Sequence, residues 1–206
     1  MTTTKKRIED AVKSSAKSKT TSAKTVESRE WLRTKAKTKS KENTLRRRKT
    51  RQNLLGDESK VATSVQIGQM YLFSYDAKFK KTLPYWDFHP IVFPIDFKDG
   101  GFIGLNLHYL PPLLRAKLLD AILDLPVYKT EKQRAKMSYD IISAFMASDI
   151  AKPTIHRYLL SHFAGPLIEI QRDEWDYVAF LPLVDWRSMT GSVSSSRVYA
   201  DSKRRM

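Results

Sequence analysis

Cysteine is absent from the chain. That excludes a disulfide framework, thiolate metal sites and cysteine nucleophiles, and it leaves the redox compartment open. Glycine is sparse, seven in 206 residues, and none of the seven falls in the spacing of a P-loop or a dinucleotide-binding turn. No run approaches the roughly 18 apolar residues of a membrane span. The opening MTTTKKRIEDAVKSSAKSKT has no apolar centre of a secretory signal. The expectation is a soluble intracellular protein, or one packaged from inside a cell.

Aromatic side chains are missing from the first third. Trp31 is the only Phe, Trp or Tyr before Tyr71, and the other 21 follow. Acidic residues are scarce in the same region: residues 1–60 hold 19 Lys and Arg against 7 Asp and Glu, a net of +12 out of +15 for the whole chain. These two asymmetries divide the sequence into a basic arm (1–60), a globular domain (61–187) and a polar C-terminal tail (188–206) that is expected to be mobile.

What the arm does have is cations. Residues 1–27 are mostly Lys, Ser, Thr and Ala, with too little to bury to offset the entropy of ordering, and are expected to be disordered alone. From Ser28, a candidate N-cap with Glu30 in the first turn, no Gly or Pro intervenes until Gly56, so helix is permitted. Trp31, Leu32, Ala36 and Leu45 do not repeat as a stripe, so such a helix needs a partner. Arg33, Lys35, Lys37, Lys39, Lys41, Arg46, Arg47, Arg48, Lys49 and Arg51 form a row suited to a polyphosphate backbone, where each neutralised phosphate releases counterions. A solvated tail, a nuclear-import sequence and an anionic membrane surface are the other readings. Membrane is the least favoured, because the arm lacks the apolar face that an interfacial helix inserts.

In the domain the hydrophobic period changes from two to 3.6. VQIGQMYLFSYDAKF sets Val65, Ile67, Tyr71, Phe73 and Tyr75 on one face of a strand and Met70, Leu72 and Ser74 on the other. Pro84, Pro90 and Pro94 restrict pairing in the next segment to edges or short pieces such as Ile91 to Phe93. Asp99-Gly100-Gly101 marks a hairpin between IVFPIDF and GFIGLNLHYL, the second strand having one buried apolar face and one polar face. Beyond Pro111 and Pro112, Leu114, Leu118, Ala121, Ile122 and Leu125 fall at helical spacing. A second helix over EKQRAKMSYDIISAFMASD turns Ala135, Ile141, Ile142 and Phe145 inward, and PTIHRYLLSHFAG is expected as a third. PLIEIQ is strand-like, and RDEWDYVAFLP is a short capped helical turn with Trp175 in the core. The fold class is α+β: a small curved antiparallel sheet, barrel-like in one variant, packed with about three helices.

The chemistry-bearing residues give little sign of an enzyme. His156 and His162, six apart on the expected helix, fall on different faces. Asp96, Asp99 and Glu169 come nearest to a nuclease cluster, but Gln171 stands where a lysine would serve. His108 at a strand end is expected to hydrogen-bond within the domain. Tyr85 and Trp86, with Phe88 and His89, have two readings: rings stacked on the exposed bases of a duplex terminus, or rings filling the core under a proline-rich loop. No catalytic residue, metal site or cofactor is implied.

The succession GQMYLFSYDAK, LPYWDFHPIVFPIDF, GGFIGLNLHYLPPLLRAKLLDAI, HRYLLSHF and IQRDEWDYVAFLPL, over about residues 66–185, resembles the DNA end protector family of T-even-like tailed bacteriophages. NLHYLP with the following helix is its most specific part. The resemblance implies a minor virion protein on the ends of packaged linear double-stranded DNA near the portal, carried into the host cytoplasm, where it shields those ends from host exonuclease. Portal, neck or other virion proteins are the implied partners. It supplies no catalytic motif. A structural or assembly protein of the neck, head-completion or baseplate apparatus, its arm lying on acidic virion surfaces, is the alternative.

Overall fold

The computed structural model describes residues 54–123, 130–179, 181 and 183–205. It is α+β. A five-stranded antiparallel sheet has the order β5-β4-β3-β1-β6, built from β1 (Met70–Leu72), β3 (Ile91–Lys98), β4 (Gly101–Asn106), β5 (Ile155–Leu159) and β6 (Ile168–Ile170). A second, three-stranded sheet has the order β2-β7-β8, from β2 (Trp86–Asp87), β7 (Trp186–Ser188) and β8 (Gly191–Ser192). Four α-helices are described: α1 (Pro112–Leu123), α2 (Glu131–Met146), α3 (Trp175–Val178) and α4 (Ser195–Arg205). The larger sheet is open, with β5 and β6 as edges, and not closed into a barrel.

The large sheet is covered on both faces. Met70, Leu72, Ile91, Phe93, Leu105, Ile168 and Ile170 pack with Leu114, Leu118, Ile141, Ile142, Phe145 and Trp175 from the helices. Tyr71, Phe73, Val92, Phe102 and Tyr158 turn to the other side and form an aromatic cluster with Tyr75 and Trp86. Alternation along β1 and β4 therefore sends apolar side chains both ways. The polar face expected on β4 is itself interior, since Asn106 and the following His108 are both fully buried. Of the inward helical positions, Leu114, Leu118, Ile141, Ile142 and Phe145 are buried. The side chains of Ala121, Ile122 and Ala135, and all of Leu125, lie outside the described residues.

Local signals account for several boundaries. Gly100, at φ 70°, supplies the left-handed residue of the β3–β4 hairpin, which closes on the Lys98↔Gly101 pair. Pro112 opens α1 where its missing N–H costs nothing, and the Thr130 hydroxyl caps α2 by accepting the Gln133 N–H at 3.3 Å.

Three expectations are corrected. Proline does not confine β3 to an edge: Pro94 lies mid-strand between β4 and β1, at a bulge between Pro94 and Asp96. Its carbonyl accepts from Gly68 N–H, so its donorless side faces the segment before β1, where no ladder bond is lost. The segment PTIHRYLLSHFAG is not a helix. It runs from a 3₁₀ turn, Asp149–Thr154, into β5 and a second 3₁₀ turn, Leu160–His162, because β4 offers an open edge. The segment after Ser188 is not a loose tail: β7 and β8 form a hairpin, and α4 packs back with Val198 and Ser202 buried.

Candidate functional site

The small sheet and α4 roof a cleft beside the aromatic face of the large sheet. Strand β2 joins the two sheets: Trp86 pairs with Arg187 in β7, while Phe88 carbonyl accepts Tyr75 N–H at 2.8 Å. Tyr85, Tyr109, Trp186 and Val198 form a third apolar cluster, with Tyr109 and Trp186 edge-on at 4.7 Å and Tyr85 and Trp186 edge-on at 5.8 Å. Between this cluster and the aromatic face lies a cavity of about 390 Å³. Tyr75, Tyr85, Trp86, Tyr109 and Tyr158 wall it. Phe79 and Leu83 stand on its lining with 63% and 40% of their surface exposed. Lys78 and Arg205 bring two cations to it, and Arg157 also lines it, its guanidinium donating to the Asp99 carbonyl at 2.8 Å.

The polar floor is hydrogen-bonded except at His108 Nε2, which is buried without a partner among the described residues. Asp87 accepts from His108 Nδ1 at 2.7 Å, from Asn106 Nδ2 at 3.2 Å and from His89 N–H at 3.2 Å. Asn106 in turn accepts the His108 N–H at 2.9 Å. Burial holds the His108 imidazole below its ordinary range despite the Asp87 carboxylate, which favours the charged form. His108 is therefore neutral near pH 7 and donates through Nδ1, a bond that ties β2 to the end of β4. This Asp–His pair resembles catalytic machinery only in composition, for His108 is 0% exposed. His156 Nε2 bonds Pro153 carbonyl at 3.0 Å and its ring lies on Tyr109 at 4.2 Å; burial pushes its pKa down to about 4. Desolvation raises the Tyr75, Tyr109 and Tyr158 phenols, so all three remain protonated donors at neutral pH.

The sequence-predicted residues fare differently. Arg33, Lys35, Lys37, Lys39, Lys41, Arg46, Arg47, Arg48, Lys49 and Arg51 lie outside the described residues. Tyr85 and Trp86 are 4% and 9% exposed and line the cavity, so access to them runs through it and not across a flat external platform. Trp86 Nε1 is buried without a hydrogen-bond partner among the described residues. His156 and His162 do not share an α-helix: His156 lies in β5 and His162 closes the 3₁₀ turn after it, and each bonds a backbone carbonyl, of Pro153 and Asp76 respectively. Asp96 pairs with Lys98 at 3.0 Å, and Glu169 sits on β6 opposite Tyr71. Among the described residues, no three His, Asp or Glu side chains converge as a metal site, and no helix is long and apolar enough to cross a membrane.

Sequence reasoning missed Lys78, Arg157 and Arg205, single cations distant along the chain. A signal for Arg205 was present: Val198 and Ser202, four apart in SSRVYADSKRR, are a narrow buried stripe on an otherwise polar helix. No curated protein and no solved structure matches the chain. A protein-family model does, across both the basic segment and the folded region: that of the phage T4 terminal DNA protecting protein matches residues 1–202, and the chain belongs to that family.

Proposed function

We propose that this chain binds the ends of linear phage DNA, its basic arm neutralising phosphates without reading sequence, and shields those ends from host exonuclease by occupancy. The observation that carries this reading is a family match that takes in the arm as well as the folded region, in a chain whose first 60 residues carry 19 basic against 7 acidic side chains. Backbone neutralisation supplies affinity along any duplex, so an arm alone slides. The folded domain gives the complex bulk at the terminus and a surface for virion partners at the portal or neck. The Asp87–His108 pair is closed to solvent and braces two strands, which suits residence better than turnover.

The test is a processive exonuclease acting on linear duplex with the full chain in excess. Digestion is expected to slow in proportion to end occupancy, and competition by linear DNA is expected to exceed that by closed circles of equal length. Equal affinity for circles and linear molecules would overturn end recognition and move the assignment to particle assembly.

A further inference from the structure

The cleft under β2 is shaped for something the arm cannot bind. Its walls are rings, its lining carries the cations Lys78 and Arg205, and its floor holds the Asp87 carboxylate, already hydrogen-bonded by His108 and Asn106. A volume of about 390 Å³ is in the range of small-ligand sites, which run from about 300 to 1,000 Å³. The Trp86 N–H, buried and unpartnered among the described residues, belongs to a ring that lines this space. An unsatisfied buried donor costs about 1–3 kcal/mol, and a ligand acceptor would recover it. The charges also give a direction. A phosphate pushed to the floor would meet Asp87, whereas one held beside Lys78 and Arg205 meets cations, so an aromatic ring goes in and an anion stays out.

We propose that this cleft receives the base of the terminal nucleotide of a DNA end, with its phosphate held by Lys78 and Arg205. The inference rests on the end-binding reading above and names how an end differs from the interior of a duplex. A terminal base leaves the helix by breaking one stack and one pair. An internal base must break two stacks, at a cost of a few kcal/mol more before any contact is made. Stacking on an aromatic wall returns about 1–3 kcal/mol per base whatever its identity, so the cleft selects ends without selecting sequence. Phe79 and Leu83 are exposed where the penultimate base would lie.

The experiment uses the full chain and three probes: a linear duplex with 2-aminopurine at its last position, the same duplex with the reporter in the middle, and a dumbbell with both ends closed by hairpin loops. Binding is expected to change the emission of the terminal reporter and leave the central one unaltered. Phe79→Ala with Leu83→Ala, and separately Lys78→Gln, should reduce the preference for open ends over dumbbells roughly tenfold, the loss of one stacked base, with dumbbell affinity nearly unchanged. These positions lie at exposed or rim sites, and circular dichroism verifies folding. Equal emission changes at the two reporter positions, or an end preference that survives both sets of substitutions, would overturn the cleft assignment. A response to free deoxynucleoside monophosphate that linear DNA fails to compete would also overturn it, marking a free-nucleotide site. Failure of the end-binding reading looks different: the unsubstituted chain would show no preference for open ends over dumbbells and would leave exonuclease digestion at the unprotected rate.

Discussion

A guanidinium sealed inside a domain has to be solvated by the domain itself. Arg115 is 3% exposed and donates to the carbonyls of Ala179, Leu110 and His108 and to the Tyr199 hydroxyl, tying α1 to α3, to the end of β4 and to α4. Burial lowers its pKa, yet every bond it makes favours the charged form. Arg115→Met relieves the buried charge but leaves several carbonyls without donors, and a loss of about 2–4 kcal/mol is expected in denaturant unfolding. Arg115→Lys should rescue little of it, because one ammonium cannot reach acceptors spread around a planar fork. His108, fully buried, and His156, half-buried, add a pH dependence. Both have folded pKa values below the unfolded value, so protonation favours the unfolded chain: stability is complete above about pH 6.5 and falls as the pH drops toward 4. His156→Phe should flatten that decline by about 1–2 kcal/mol, measured as the difference in unfolding free energy between pH 7 and pH 4.5.

At the scale of the element, close backbone approach determines which glycines matter. A Cβ on Gly101 would lie 1.9 Å from the Tyr158 carbonyl oxygen, inside the β4–β5 ladder, whereas one on Gly100 would meet nothing within 4 Å. Gly100→Ala should therefore cost only about 1 kcal/mol, the strain of a left-handed residue. Gly101→Ala should cost about 3 kcal/mol or more, since β5 must move, and comparison of their denaturation midpoints checks the order. The same geometry explains what was legible. The hairpin at Asp99-Gly100 and the helices α1 and α2 are written in adjacent residues, as a turn and a 3.6 period, and they appear where the sequence places them. The strand β5 is written some 50 residues away, in a glycine that admits the Tyr158 backbone, so HRYLL taken alone passes for helix. Helix α4 was hidden by composition: its buried stripe is Val198 and Ser202, too narrow to stand out against its charges. The cleft itself was half visible. Tyr85 and Trp86 stood out as a pair, but the cations Lys78 and Arg205 that line the same space come from the loop after β1 and from α4.

For the whole molecule, packing begins earlier and ends later than composition suggests. Leu54 is fully buried in the main core, and Val198 is fully buried in the third cluster. Limited proteolysis of the full chain is expected to leave a fragment that starts near Leu54 and runs through α4; a fragment ending near residue 187 would show that α4 is not held. The arm is expected to carry most of the phosphate contact. With a slope of about −0.9 per phosphate, six contacts give a salt dependence near −5, and neutralising Arg46, Arg47, Arg48, Lys49 and Arg51 together should make it shallower by up to about five contacts' worth. An unchanged slope would place those contacts on the folded domain.

The point at which the chain enters that domain has a further consequence. Lys60 pairs with Glu174 and Val61 bridges Ile168, so the backbone is pinned beside β6, one edge of the large sheet. Arg157 and Tyr158 belong to β5, the opposite edge. Four strand spacings of about 4.8 Å put roughly 19 Å between the two. Duplex DNA advances about 3.4 Å per base pair, so the same span is close to six base pairs. With the terminus lodged as proposed above, about six base pairs of duplex would cross the sheet before reaching the edge where the arm is rooted, and end preference is expected to fall for duplexes shorter than that.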